Sequence, residues 1–457
     1  MASTRLKNPA TGASVQSERR TLTWSGWIKK CGQGADQDIY TGRYSGSYFA
    51  HLAFDSTDKI RVRQYAGGTN AMYLQTTAVY RDPNAWYHIV MAIDTTQSTA
   101  SNRAKLYVNG EQVTAFDNET YPSQNLDTYW QMTGTDSYPS YLGWDGTYYF
   151  NGVMSDVYII GGTAYPASTF GSTDATTGEW KPNTNPTISY GTGVAGNAHL
   201  KFDDTSNFGK NSATGFTSNH WSVDNGTMTK TEDNPSNNFA TLNELARLNN
   251  FSQRYVEHTI GNTKADGTST SNNGNSYSTL GASSGKFYCE AKINGVYNTI
   301  YPTIGVIPER NAADRDRTQI GYNTSDTFGY TPDGQKIISS SQSSYGDSFT
   351  NGDIIGIALD LDNGAVYFSK NGTWQNSGDP TSGSSKTNAA GTFTPSQHYF
   401  MGVSPYRSQS SVSFNFGNGY FGTTAISSEG TNASGLGKFE YDVPAGYTAL
   451  CTKGLNE

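Results

Sequence analysis

Charged residues are scarce in this sequence and long apolar runs are missing, and each shortage excludes a class of protein. Only 15% of the 457 residues are charged, the formal net charge is -8, and no basic run is longer than a pair such as Arg19-Arg20. Phosphate groups repel an acidic chain without basic clusters, so we expect no nucleic-acid partner. No segment approaches the ~18 consecutive apolar residues of a membrane span, and the N-terminus lacks the apolar core of a signal peptide. We therefore expect synthesis in a cytoplasm and no membrane insertion.

Cysteine and histidine are equally sparse, which argues against disulfides and metal cofactors. The three cysteines, Cys31, Cys289 and Cys451, are far apart and show no C-x-x-C spacing, so neither a disulfide framework nor a cysteine-based zinc site is expected. Cys289 shares strand alternation with its apolar neighbours and is predicted to be a small buried hydrophobe. The 6 histidines form no local ligand pair. We expect no cofactor and no ion needed for folding, with Asp36 and Asp38 as loop acids that could bind Ca²⁺ weakly.

Glycine and aromatic residues are abundant and indicate many short strands. The chain has 50 Gly, 31 Tyr and 20 Phe, a mixture typical of strands joined by tight turns. Apolar residues alternate with polar or small ones over residues 21–30, which is strand spacing. Two hairpins, 86–94 with 105–110 and 353–361 with 365–372, each have an apolar strand closing on Asp and a return strand ending in Asn-Gly. Asn-Gly suits the positive φ angles of a type I′ turn, so we predict an all-β chain with two similar antiparallel sandwich domains.

Shifts in composition give the expected domain boundaries. Residues 1–20 are polar and form an N-terminal arm or edge strand, and 21–171 form the first sandwich. Residues 172–281 are rich in Asn, Gly and Pro and form an irregular connector. The best helical candidate in the chain, Phe239–Leu248, lies in this connector and has leucines three residues apart. The second sandwich covers 282–457.

The first half resembles a known fold family. The hairpin 86–110 and the downstream segment 149–162 are similar to a laminin-G-like jelly-roll domain of the concanavalin-A superfamily. The variant it resembles most is common in marine and cyanobacterial phage proteins. Four later segments continue this resemblance: 165–171, 177–182, 199–203 and 219–223.

The second half resembles a SPRY-type sandwich, in segments 285–290, 304–306, 352–360 and 413–417. Segment 443–451 is similar to the usual close of these phage proteins. The resemblance implies a protein of the virion surface, as a tail fibre, head fibre or decoration. It also implies other virion proteins and a host cell-surface glycan or protein as partners. We expect a homo-oligomer, with a trimer as the favoured form, because phage appendages are usually symmetric.

Aromatic loops are the best candidates for ligand contact. Tyr141, Trp144 and Tyr148 crowd one stretch together with Asp145, and sugar rings stack on exposed aromatic faces while carboxylates bind their hydroxyls. A second candidate is the loop pair that contains Tyr345 and Asp347 on one side and Trp374 on the other. The alternative for both groups is that the rings fill the core or a subunit interface.

The sequence offers little support for a catalytic site. The Glu-x-Asp-x-x-Glu pattern of glucanases is missing, and Asp360 and Asp362 flank a turn that Asp residues normally cap. Ala92 and Ala358 stand where a lectin-type metal site would need Glu. No Gly-x-Ser-x-Gly elbow is present, although the members of a serine triad need only meet in space. We therefore favour a non-catalytic adhesive protein over two alternatives: a polysaccharide depolymerase (a glycoside hydrolase) on a tail spike, and a pure scaffold of the particle.

Overall fold

The computed structural model describes residues 4–8, 19–130, 139–191, 196–246, 248–249, 253–269, 274–309, 319–322 and 326–456. The chain divides between Lys230 and Thr231 into two compact units, which we call the N-terminal and C-terminal units. Both consist of strands and short 3₁₀ turns, which confirms the prediction of an all-β protein with two sandwich domains. In the part of the chain that the structure describes, no helix is long and apolar enough to cross a membrane.

The N-terminal unit contains two main sheets. Its strands are β1 (Arg5–Lys7), β2 (Thr21–Lys30), β3 (Gln37–Ser45), β4 (Tyr48–Phe54), β5 (Ile60–Ala66), β6 (Thr69–Thr76), β7 (Trp86–Asp94), β8 (Ala104–Val108), β9 (Glu111–Gln112), β10 (Phe116–Thr120), β11 (Tyr141–Leu142), β12 (Gly152–Gly161), β13 (Gly171–Thr173), β14 (Trp180–Pro182), β15 (Ala198–Leu200) and β16 (Ser222–Asn225). One sheet has eight antiparallel strands in the order β10-β6-β5-β4-β3-β11-β1-β16, and the other has six in the order β15-β12-β2-β7-β8-β9. The pair β13-β14 lies apart from both.

Strand alternation explains which side chains form the core of this unit. In β4, Ala50, Leu52 and Phe54 are fully buried and belong to the main core, whereas the residues between them point to the opposite face of the sheet. Leu200 and Trp221 also belong to this core, so the first part of the predicted connector packs on the first sandwich. Full burial of a side chain the size of Leu52 or Phe54 stabilises the fold by about 1.5–3 kcal/mol.

The C-terminal unit also contains two main sheets. Its strands are β17 (Leu248–Asn249), β18 (Gln253–Arg254), β19 (Val256–Thr259), β20 (Lys264–Gly267), β21 (Ser276–Tyr277), β22 (Lys286–Gly295), β23 (Thr303–Pro308), β24 (Phe328–Tyr330), β25 (Gln335–Ile338), β26 (Ser341–Ser344), β27 (Ile354–Asp360), β28 (Ala365–Lys370), β29 (Thr373–Trp374), β30 (Gly391–Thr392), β31 (Tyr399–Ser404), β32 (Ser411–Asn415), β33 (Tyr420–Phe421), β34 (Thr424–Ala425) and β35 (Thr448–Ala449). The first sheet has the order β19-β20-β32-β22-β27-β28-β29, with β30 beside β28 and β35 beside β22. The second has the order β21-β31-β23-β24-β25-β26.

The two Asn-Gly hairpin turns have the backbone that the sequence predicted. Asn109 and Gly110 have φ angles of 48° and 85°, and Asn371 and Gly372 have 48° and 80°. Positive φ at both central residues defines the type I′ turn, whose twist matches that of the flanking strands. The side-chain oxygen of Asn109 accepts the backbone N–H of His88 in β7, and that of Asn371 accepts the backbone N–H of Ile354 in β27, at 2.8 Å in both cases.

The three cysteines are buried, and no disulfide joins any two of them. Cys289 lies in the core of the C-terminal unit and its Sγ is 3.5 Å from Sδ of Met401, which confirms it as a buried hydrophobe. Burial raises the pKa of this thiol well above its usual value, and the neighbouring Glu290 adds to the effect.

The helix predicted over Phe239–Leu248 is wrong. Only Glu244–Ala246 form a 3₁₀ turn, and Leu248–Asn249 form strand β17. The backbone N–H of Asn243, which would donate to Phe239 in a helix, donates to Tyr277 at 2.8 Å, and the carbonyl of Thr241 accepts the N–H of Thr279 at 2.7 Å, so neither group is available for helical hydrogen bonds. Tertiary pairing therefore overrides a helical leucine spacing.

The rest of the predicted connector divides between the units. Strands β13 to β16 lie in the N-terminal unit, whereas β19 and β20 extend the large sheet of the C-terminal unit. The 3₁₀ turns are Ala100–Asn102, Ala167–Thr169, Glu244–Ala246, Gln375–Ser377, Gly383–Ser385 and Gly454–Asn456.

Candidate functional site

A turn of the N-terminal unit brings together the first group of predicted ligand-binding residues. Tyr141 lies in β11 opposite Thr41 of β3, and the chain then folds back so that Trp144 forms a β-bridge with Tyr149. Oδ1 of Asp145 accepts the backbone N–H groups of Thr147 and Tyr148, at 2.7 and 2.8 Å. Asp145 therefore shapes the turn that presents the aromatic rings. We call residues 141–149 the aromatic turn.

The rings of the aromatic turn are not equally accessible. Tyr141 packs edge-on against Trp144 with ring centroids 4.8 Å apart, and the guanidinium carbon of Arg5 lies 3.7 Å above the Trp144 ring. Arg5 is held there by an ion pair of 2.6 Å with Asp224. One face of Trp144 is therefore covered, whereas Tyr148 is 43% exposed. Tyr148 is the ring of this turn that is best placed to stack on a sugar.

The outer face of the eight-stranded sheet carries further aromatic side chains that sequence reasoning missed. Phe49 of β4 and Tyr65 of β5 are cross-strand partners, with ring centroids 5.3 Å apart and planes at 28°. The guanidinium carbon of Arg63 lies 4.9 Å from the Tyr65 ring and 5.8 Å from the Tyr73 ring. We call Phe49, Arg63, Tyr65 and Tyr73 the aromatic face. All four side chains are half-buried. The signal available in the sequence was that these four residues occupy outward-facing positions of alternating strands.

Asp145 also belongs to a buried group of potential metal ligands. One ligand atom each from Asp38, His51 and Asp145 lies within 4.8 Å of the other two. Among the described residues this is the only group of three or more such side chains. Asp38 was expected in a loop, but it is the second residue of β3 and is fully buried. Asp36 instead contacts Arg61, with Oδ1 3.3 Å from Nη2.

The second predicted group, in the C-terminal unit, is only partly at the surface. Tyr345 is 5% exposed and packs in the core beside Tyr330 and Phe368, so its ring cannot stack on a ligand. Core packing of Tyr was the alternative weighed for these rings. Asp347 is exposed and its backbone N–H donates to Oε1 of Gln375 at 2.7 Å. Trp374 is half-buried, with its ring 6.4 Å from that of Tyr288.

One group of side chains has the hydrogen-bond order of a serine triad. Oγ of Ser276 lies 2.7 Å from Nε2 of His258, and Nδ1 of His258 lies 3.1 Å from Oε2 of Glu244. Ser276 is completely buried, however, and lies in β21 paired with Val403. A nucleophile must reach its substrate, and this hydroxyl is closed off by the described structure. The group therefore acts as a buried polar network.

Asp360, one of the two acidic residues weighed for catalysis, caps its turn. Its two oxygens accept the backbone N–H and the side-chain amide of Asn363, at 2.9 and 2.8 Å, and Nζ of Lys286 is 3.1 Å away. The carboxyl group is buried, so both of its oxygens serve the hairpin.

Comparisons with known proteins define the class of each sandwich. Residues 7–168 match the family described as the concanavalin A-like lectin/glucanases superfamily, and residues 286–419 match the SPRY domain. The chain therefore contains a laminin-G-type, concanavalin A-like domain followed by a SPRY domain. No curated protein sequence matches the chain significantly.

Similar solved structures include two SPRY domains and a pentraxin. The SPRY domain of human HERC1 has 20% identity and a TM-score of 0.26, over 33% of this chain and 87% of that one. Another human SPRY domain has 19% identity and a TM-score of 0.26, over 35% of this chain and 94% of that one. The heptameric SAP-like pentraxin of Limulus polyphemus has 13% identity and a TM-score of 0.28, over 41% of this chain and 89% of that one. These low values add nothing to the domain matches.

Proposed function

We propose that this chain is a non-catalytic surface protein of a tailed-phage virion and that its N-terminal unit binds a glycan on the host cell. The observation that carries the binding role is the exposed Tyr148 on a turn with Trp144 and Asp145. A concanavalin A-like domain and a SPRY domain also support a binding role. The virion location, as a tail fibre, head fibre or decoration, is supported by the sequence resemblance to phage proteins.

The chemistry of the aromatic turn suits a sugar. The exposed Tyr148 ring offers an apolar face for the C–H groups of a pyranose, and its hydroxyl can form hydrogen bonds with those of the sugar. Such a contact contributes about 1 kcal/mol per ring, which is weak for a single site. A homo-oligomer, for which a trimer is the favoured form, repeats the site and multiplies its avidity on a cell surface. Other virion proteins would hold this assembly on the particle.

The binding role is favoured over a depolymerase by the placement of the carboxylates. Glycosidases place two carboxyl groups about 5–9.5 Å apart on either side of the scissile bond. Asp38 and Asp145 are two carboxyl groups that meet beside the aromatic turn; they have ligand oxygens within 4.8 Å of each other, and Asp38 is fully buried. A sugar cannot pass between these two groups.

Binding of purified protein to host cells or host polysaccharide tests the proposal. Tyr148→Ala should weaken binding about fivefold per site, the equivalent of ~1 kcal/mol. Val79→Ala is the control, because Val79 is 46% exposed in the same unit and lies outside the aromatic turn. Unchanged binding by the Tyr148 variant would contradict the assigned surface. Time-dependent release of oligosaccharide by the wild-type protein would instead establish the depolymerase.

A further inference from the structure

Three side chains from distant parts of the sequence converge beside the eight-stranded sheet. Asp38 lies in β3, His51 lies in β4, and Asp145 lies in the aromatic turn. The pairing of β3 with β4 is irregular between Asp38 and Tyr40, and such a bulge re-aims a side chain. Nδ1 of His51 is 3.0 Å from Oδ1 of Asp38, and a ligand atom of Asp145 is within 4.8 Å of both residues.

The polar atoms of Asp38 and His51 are buried without hydrogen bonds. Asp38 is 0% exposed and His51 is 4% exposed. Neither carboxylate oxygen of Asp38 and neither ring nitrogen of His51 has a hydrogen-bond partner in the described part of the chain. The 3.0 Å approach of the two residues therefore lacks the alignment of a hydrogen bond. Each such unpaired buried group costs about 1–3 kcal/mol, so four in one place call for a partner.

The donor set of the cluster suits a metal cation. Two carboxyl groups and one imidazole lie together, and one ligand atom of each is within 4.8 Å of the other two. A neutral imidazole keeps the lone pair that a metal ion requires.

We propose that Asp38, His51 and Asp145 bind one divalent transition-metal ion, of which Zn²⁺ is the best match. Imidazole and carboxylate together suit Zn²⁺, whereas Ca²⁺ takes six to eight oxygen ligands. The turn occupies Oδ1 of Asp145, and we assign Oδ2 to the metal. Tetrahedral ligands at about 2.0–2.1 Å from zinc are roughly 3.4 Å apart, so a gap at the 4.8 Å limit must close by about 1.4 Å. Movement of the half-exposed Asp145 supplies this closure.

The ion would link the aromatic turn to the sheet. Three protein ligands leave at least one coordination position of a tetrahedral ion open, for water or for a ligand oxygen. Because metal binding needs the folded arrangement of β3, β4 and the turn, the ion also stabilises the N-terminal unit. Metal binding is tested separately from glycan binding, and the failure of one does not bear on the other.

Titration of the metal-free protein with Zn²⁺ and Co²⁺ alone tests the site. We expect one equivalent to bind and the melting temperature to rise, with the visible absorption of Co²⁺ reporting a nitrogen- and oxygen-ligated ion. His51→Gln and Asp145→Asn should each weaken Zn²⁺ binding at least tenfold. Asp145→Asn keeps the Oδ1 acceptor of the turn, so this variant decides the question if His51→Gln does not fold.

His199→Gln is the matched control. Nε2 of His199 lies 3.3 Å from Oδ1 of Asp156 in the same unit, but this pair belongs to no group of three potential ligands among the described residues. Its variant should bind Zn²⁺ as the wild type does. The inference is overturned if the wild type binds neither Zn²⁺ nor Co²⁺, if binding survives both site substitutions, or if only Ca²⁺ binds.

Discussion

Glu290 is a carboxyl group buried at the centre of the C-terminal unit, and its removal gives a quantitative test of the packing described above. Oε2 of Glu290 accepts the backbone N–H of Glu440 at 2.9 Å, and Oε1 accepts that of Tyr441 at 2.8 Å. The amide of Asn415 donates to Oε2 at 3.2 Å. Glu290→Gln keeps the size of the side chain but replaces one acceptor oxygen with an NH₂ group. This group is a donor and faces other N–H donors. One buried N–H then loses its acceptor, which costs about 1–3 kcal/mol.

The cost of this substitution depends on pH. Burial raises the pKa of Glu290 from 4.5 to about 7. Between these values the unfolded chain releases the proton and the folded chain keeps it, so the wild type loses stability as pH rises. The loss reaches about 3 kcal/mol at pH 7 and above, because each pKa unit corresponds to ~1.4 kcal/mol. Glutamine does not titrate and escapes this loss.

Urea unfolding at pH 4.5 and at pH 7.5, followed by proteolysis that scores each unit separately, measures this effect. The wild type should be more stable than Glu290→Gln at pH 4.5, and the difference should shift by about 3 kcal/mol in favour of the variant at pH 7.5. Glu257→Gln, at an exposed position of β19, should show no such shift. A difference between wild type and Glu290→Gln that is the same at both pH values would refute the reasoning.

Three further outcomes are expected. Lys30→Met should lower the free energy of unfolding by about 3 kcal/mol in urea titrations, because it leaves the buried carboxylate of Asp58 with only the exposed Arg81 as a cationic partner. Asn109→Ala should cost about 1–2 kcal/mol in the same assay, since alanine disfavours the φ of 48° at this turn. Light scattering at micromolar concentration should report a homo-oligomer, and a monodisperse monomer would contradict this expectation.

The sandwich architecture could be predicted because its causes are local. Alternation marked the strands, and the Asn-Gly pairs fixed both hairpin turns. The helix near Leu242 was predicted wrongly, because the backbone partners of this segment, Asn262 and Tyr277, are distant in the sequence. The outer aromatic face was missed for a related reason. In β4, Phe49 and Leu52 are both apolar, and only the packing of the second sheet decides which of them faces the core.

The candidate metal site was beyond prediction from sequence. Asp38 and His51 meet through the irregular pairing of β3 and β4, and Asp145 joins them from about a hundred residues away. No local spacing encodes this meeting, so the sequence led to the expectation of no metal. Tyr148 was predictable as a candidate because turn residues and aromatic residues coincide there, whereas the burial of Tyr345 depends on packing against Phe368.

The division between Lys230 and Thr231 has a consequence for how such a gene can change. Every strand of the two N-terminal sheets lies before this point, and every strand of the two C-terminal sheets lies after it. Among the described residues, neither core contains a strand from the other half of the chain. Genetic exchange at this joint would therefore transfer a complete sandwich with all of its strand partners. A single recombination event could replace the unit that carries the aromatic turn and leave the SPRY domain unchanged.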